Sequence, residues 1–145
     1  VQATSWWQQG IHSLGELRRA VEAKKISLRR DQQLGLDLYD DLNQPVPVEE
    51  ANLILNQIQA YITPNSLTAE MVGGFARGKQ TGHDVDILLR ATSSTKGLAD
   101  RLRELISRLR QGKHLQGIFF QTHPEYHPHS LPAAYLAYRP DPTHG

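Results

Sequence analysis

"GGFARGKQTGHDVDIL", Gly73 to Leu88, places glycines, the cations Arg77 and Lys79, and the acids Asp84 and Asp86 in one short stretch that closes in an apolar run. The glycines predict a turn across Gly73–Lys79, and the alternation after it predicts a buried strand over Asp84–Leu89. On a strand, residues i and i+2 share a face with their Cα atoms ~7 Å apart, so Asp84 and Asp86 are expected to project together while Val85 enters the core. Mg²⁺ is commonly held by one or two carboxylates, with phosphates and water completing its shell. A glycine-rich turn exposes backbone amides, and Arg offers a planar fork, both suited to phosphate oxygens. A phosphate holder beside metal-binding acids points to phosphoryl or nucleotidyl transfer. Taken alone, the D-x-D is equally compatible with a solvated strand end. The spacing of all these parts together separates the two readings.

The bulk composition constrains the rest. A chain of 145 residues buries roughly 68–70% of its unfolded surface, enough for one sizeable core or two small lobes. Sixteen Lys and Arg stand against fifteen Asp and Glu, so no basic excess announces a nucleic-acid partner. The distribution is uneven: residues 1–30 hold six cations and two acids, residues 31–60 six acids and no cation, and residues 76–113 nine cations and four acids. Local positive faces able to meet phosphates follow from this, although charge runs are often only solvated faces. The absence of cysteine excludes disulfides, thiolate zinc sites and a thiol nucleophile. No apolar run has the length of a membrane span, and no signal-peptide pattern is present. The chain opens on Val1 rather than Met and is read as a piece of a longer protein.

Helices dominate the first third. "SLGE" at Ser13–Glu16 is a capping-box pattern, followed by Leu14, Leu17 and Val21 at helical spacing. A helix is expected over Arg29–Leu42 with Leu34, Leu38 and Leu42 on one stripe. Pro47 then suits the first turn of another, with Glu49 and Glu50 near its positive end. There Ala51, Ile54, Leu55, Ile58 and Ile62 form a core stripe. Leu67–Val72 reads as a strand, and Leu98, Leu102, Leu105, Ile106 and Leu109 as a helix with Arg101, Arg108 and Arg110 outward. "QGIFFQT" and "AAYLAYRP" read as strands flanking a proline-punctuated loop. Tandem tryptophans Trp6 and Trp7 on an amphipathic helix are expected in the core rather than stacked on bases.

"GGFARGKQTGHDVDILL" resembles the palm signature of family X DNA polymerases, members of the nucleotidyltransferase superfamily, in its polymerase mu and terminal deoxynucleotidyltransferase branch. "SWWQQGIHSLGELR" and "RRDQQLGLDLYDDLNQPVPVEEANLI" resemble the helical stretches that precede it, so the likeness covers residues 3 to about 121. The resemblance implies an α+β chain: a fingers-like helical segment over 1–46, and over 47–145 an incomplete nucleotidyltransferase palm with a small mixed sheet, the thumb being absent. It further implies Asp84 and Asp86 as catalytic metal ligands for Mg²⁺ or Mn²⁺. Gly73, Gly74, Arg77 and Lys79 would hold the phosphates of an incoming deoxynucleoside triphosphate. DNA ends or a primer with template would be the other substrate, in end-joining repair or diversification in the nucleus, beside end-joining repair proteins. His83 takes the family's position beside the first aspartate.

Two departures stand out. Ala76 occupies a position where the family usually has Arg. A third catalytic aspartate on a later strand has no counterpart: "GIFFQT" and "AYLAYRP" resemble its neighbouring strands, and "HPEYHPHSLP" stands between them. Glu125 and Asp141 are poorly placed to replace it, and His123, His127 and His129 offer no convergent metal-binding face because prolines interrupt them. Two other readings follow: a catalytically inactive nucleotide- or DNA-binding fragment, and a nucleotidyltransferase acting on RNA ends or small molecules.

Overall fold

A computed structural model describes residues 2–62, 67–92, 97–122 and 132–142. The chain divides into two compact units, Val1–Leu42 and Asn43–Gly145.

In the first unit, α1 (Gln2–Gln8), α2 (Leu14–Glu22), α3 (Arg30–Asp37) and α4 (Tyr39–Leu42) follow one another. Ser13 caps α2, its hydroxyl accepting from the Glu16 amide at 3.1 Å, while the Glu16 carboxylate accepts from the amide of His12 at 2.7 Å. The reach-back thus lands one residue before the cap. Leu17 is the buried residue of α2, and Arg18 donates to the Leu36 carbonyl at 3.2 Å, tying α2 to α3. The helix expected over Arg29–Leu42 is broken at Leu38, and Leu36 is buried instead of the Leu34, Leu38, Leu42 stripe. Helix dipoles explain the break. A continuous helix would carry Asp37, Asp40 and Asp41 toward its negative end, whereas restarting at Tyr39 makes Asp40 and Asp41 first-turn acids. Trp7 is 62% exposed, so it is not the core residue expected; its ring meets His12 edge-on.

The second unit is built on α5 (Val48–Tyr61), with Pro47 as its N-cap rather than inside its first turn. Ala51, Ile54 and Ile58 are buried as the stripe predicts, and Ile62 closes the helix. Against them pack β2 (Leu67–Val72) and α7 (Leu98–Gln111), so that Leu67, Ala69, Leu105 and Leu109 complete one core. Burying a leucine as fully as Leu109 contributes about 1.5–3 kcal/mol. Arg108 is half-buried rather than outward. Its guanidinium donates to the Tyr61 carbonyl at 3.0 Å, an otherwise open acceptor at the end of α5, and to Glu104 at 2.6 Å.

The strands form three antiparallel pairs. β2 lies against β4 (Asp86–Ala91), in register from Leu67↔Ala91 to Val72↔Asp86. β1 (Val46–Pro47) pairs with β3 (Thr81–Gly82), and β5 (Leu115–Gln121) with β6 (Ala134–Tyr138). The expected mixed sheet is therefore corrected to antiparallel pairs among the described residues. A parallel neighbour requires a crossover. The β4–α7–β5 connection could supply one, but β5 pairs with β6. At that junction His114 is buried, its Nδ1 donating to the Arg139 carbonyl at 2.8 Å and its ring stacked 5.4 Å from Tyr138.

Candidate functional site

Where β2 ends, the backbone turns at Gly73 with φ +72°, a conformation that glycine adopts without a Cβ penalty. One helical turn, α6 (Gly73–Ala76), follows. It closes on itself: the Arg77 amide donates to the Gly73 and Gly74 carbonyls at 3.2 Å, and the Lys79 amide to Gly74 at 3.1 Å. The side chains then divide. Phe75 is buried beneath the turn, while Ala76, Arg77 and Lys79 are exposed above it. The stem of Lys79 lies over Gly74, where an added Cβ would meet its Cδ at 2.9 Å.

One of the two acids comes back to this turn. Asp86 opens β4 opposite Val72, and its carboxylate lies against the α-carbon of Gly73. Asp84 lies outside the strand, which begins two residues later than expected. Beyond Val72 the chain of β2 has already turned at Gly73 and leaves no partner for a longer ladder. Val85 nevertheless packs against the core as predicted. Asp84 and Asp86 are both exposed, as is His83.

Among the described residues, none of Arg77, Lys79, Asp84 and Asp86 enters an ion pair, although the chain forms such pairs elsewhere, as at Arg29–Asp31 and Arg90–Glu70. The contrast with the β2–β4 surface is direct. Strand alternation puts Glu70, Leu88 and Arg90 on the same face as Asp86, and Glu70 is engaged by Arg90 at 2.6 Å. Arg77 and Lys79 on the turn, Asp86 against Gly73 and Asp84 two residues before it thus stay uncommitted, charges that phosphate oxygens and a divalent cation would neutralise. Two carboxylates match the number that Mg²⁺ takes when phosphates supply further ligands. No group of three or more Asp, Glu or His side chains converges among the described residues. Glu125, His123, His127 and His129 lie outside the described residues; Asp141 is exposed between Pro140 and Pro142.

Residues 1–43 match the fingers domain of DNA polymerase lambda. The DNA polymerase type-X family protein pol4 of Schizosaccharomyces pombe is 34% identical over 108 residues, 72% of this chain and 20% of that protein. Over these stretches the chain is similar to the family X DNA polymerases. The DNA nucleotidylexotransferase of Monodelphis domestica is 32% identical over 110 residues, 74% of this chain and 20% of its own length. Human DNA-directed DNA/RNA polymerase mu is 32% identical over 90 residues, 60% of this chain and 17% of that polymerase. The chain spans about a fifth of the length of these curated relatives. The fold, α+β with small antiparallel sheets, is consistent with a family X fragment, and among the described residues no helix is long and apolar enough to cross a membrane.

Two features of the site escaped sequence reading. The Gln80 carbonyl accepts from the Val48 amide at 2.8 Å, tying the turn's exit to the start of α5. Arg90 engages Glu70, which an acid and a cation on facing alternating strands could have suggested.

Proposed function

We propose that this chain carries the nucleotide-binding and metal-binding part of a DNA nucleotidyltransferase. The reaction joins a deoxynucleotide to a DNA 3′ end: the 3′-oxygen bonds to the α-phosphorus, the bond from that phosphorus to the bridging oxygen breaks, and pyrophosphate leaves. The observation that carries this reading is the Asp86 carboxylate against Gly73, on a turn whose Arg77 and Lys79 are exposed and without ion pairs among the described residues. Residues 1–46 would act as the fingers-like segment and 47–145 as the palm. Gly73, Gly74, Arg77 and Lys79 would bind the β- and γ-phosphates, and Asp84 with Asp86 would hold Mg²⁺ or Mn²⁺. Such a cation, when bound, neutralises charge developing on the phosphates. DNA ends, end-joining repair and the nucleus follow from the same kinship.

A second reading, a nucleotide-binding unit with little turnover, is favoured by one observation. The other acid on the Asp86 face, Glu70, is engaged by Arg90, so two acids alone serve the site among the described residues.

Calorimetry of dATP binding with and without Mg²⁺ tests the binding assignment. Binding should strengthen with Mg²⁺, and that gain should vanish when Asp84 and Asp86 are both replaced by Ala; a gain retained in the double variant overturns it. Primer extension separates the two readings. Robust incorporation by this chain excludes the low-turnover unit, whereas Mg²⁺-dependent binding without incorporation selects it.

A further inference from the structure

The β2–β4 ladder does not hold Asp84, because it starts at Asp86. The segment that carries Asp84 is fixed by two other sets of contacts. On one side, Thr81 and Gly82 pair with Pro47 and Val46, and the Val48 amide donates to the Gln80 carbonyl. On the other side lies the Phe75 ring. A methyl group on Gly82 would meet Phe75 Cζ at 3.2 Å and Cε2 at 3.3 Å, so the ring sits close on the glycine α-carbon.

Phe75 belongs to the turn that also presents Gly73, Gly74, Arg77 and Lys79. It is buried, yet it stands outside the main core cluster of Ile54, Ile58, Ile62, Leu67, Leu105 and Leu109. One ring therefore touches the approach to the first acid while being part of the phosphate turn. Asp84 itself is exposed and has no hydrogen-bond or ion-pair partner among the described residues, so its carboxylate is oriented through the backbone that carries it.

We propose that Phe75 and Gly82 form a positioning pair that sets Asp84 relative to the glycine turn, and through it the affinity for a divalent cation bound with a triphosphate. This rests on the nucleotide- and metal-binding reading above. The absence of a Cβ at Gly82 is then a requirement of the site, since φ there is outside the left-handed region and alanine is allowed by the backbone.

The test compares the 145-residue chain with Gly82→Ala, Phe75→Leu and the double variant, using Mg²⁺ and dATP as probes in calorimetry, Mn²⁺ in electron paramagnetic resonance, and thermal melts. Each single variant should lose about 10- to 100-fold in Mg²⁺-dependent dATP affinity, the range found when groups that orient metal ligands are removed. Metal-free dATP binding through Arg77 and Lys79 should fall far less, because those side chains stand above the turn. The double variant should regain part of the loss, the alanine methyl filling space vacated by the smaller side chain. Either of two results overturns the inference: Mg²⁺-dependent affinity equal to that of the starting chain in a variant that folds, or equal losses of metal-free and metal-dependent binding. If Gly82→Ala does not fold, Phe75→Leu alone decides by the same criteria. Absence of Mg²⁺-dependent dATP binding in the starting chain would instead defeat the proposed function and this inference together.

Discussion

The carboxylate of Asp86 and the α-carbon of Gly73 are so close that a methyl group on the glycine would meet Oδ2 at 2.5 Å. Gly73 also has φ +72°, where an L side chain costs roughly 1–2 kcal/mol. Gly73→Ala is therefore expected to lower the melting temperature by a few degrees and to abolish Mg²⁺-dependent dATP binding by displacing a proposed ligand. Gly74→Ala is the comparison and should lose less, because its methyl would meet only the Lys79 side chain, on a stem that can swing aside. Equal losses in the two variants, read by calorimetry, would contradict the special place given to Asp86.

Arg77 and Lys79 leave the same turn exposed, but they are not equivalent. A guanidinium presents a rigid fork to phosphate oxygens, whereas an ammonium is a point charge on a flexible stem. Arg77→Lys should weaken dATP binding more than Lys79→Arg, by about 1 kcal/mol or more if a charge-assisted bidentate contact is lost. Equal or reversed effects in titrations at one ionic strength would sink the assignment.

Gly112 ends α7 directly beneath the Tyr61 hydroxyl, and an added Cβ there would overlap that oxygen. Its φ of −77° is ordinary, so the cost of Gly112→Ala is steric alone. Tyr61 cannot yield freely, because its ring meets His114 edge-on at 5.6 Å. Overpacking of this kind typically costs about 1–3 kcal/mol. Chemical denaturation should register that loss, and an unchanged midpoint would show that Tyr61 has room to move.

Burial, followed by the neighbouring Tyr61, holds the Tyr138 hydroxyl well above the usual tyrosine range. A folded-state pKa raised above the unfolded one stabilises fully below the unfolded value, near pH 10, and that stability is lost as pH rises beyond it. Tyr138 also donates to Gln57 at 2.8 Å. Tyr138→Phe should cost about 1 kcal/mol at neutral pH through the lost hydrogen bond. It should also make the chain less sensitive to alkali than its parent. Thermal melts through the alkaline range would refute this if the parent and the variant lost stability in parallel.

Much of the fold is legible because its signals are local. Ala51, Ile54 and Ile58 repeat at helical spacing, and they are buried. Leu105, Ile106 and Leu109 do the same in α7. Ser13 announces its cap in four residues. The misses occur where a distant group decides. Arg108 looks like a surface cation until the Tyr61 carbonyl, far back in the chain, draws it in. His114 has no local mark of burial; its place follows from the β5–β6 pairing and the Arg139 carbonyl. At the site, Gly73, Gly74, Arg77 and Lys79 could be grouped from sequence because a single turn carries them. That Asp84 falls outside β4 could not, because the end of the ladder is set where the partner strand turns at Gly73.

The pairing of Val46 and Pro47 with Gly82 and Thr81 has a kinetic consequence. A ladder of two residue pairs joins chain segments far apart in sequence, whereas β2 and β4 share six. Short ladders open by local fluctuation at a fraction of the cost of global unfolding. The Val48 amide, whose acceptor is Gln80, should therefore exchange its hydrogen with solvent well before the Ile58 amide in the middle of α5 does. Under mild denaturant the approach to Asp84 would loosen while α5 and α7 remain helical, so ligand capture would fail at concentrations that leave the circular dichroism of the helices intact.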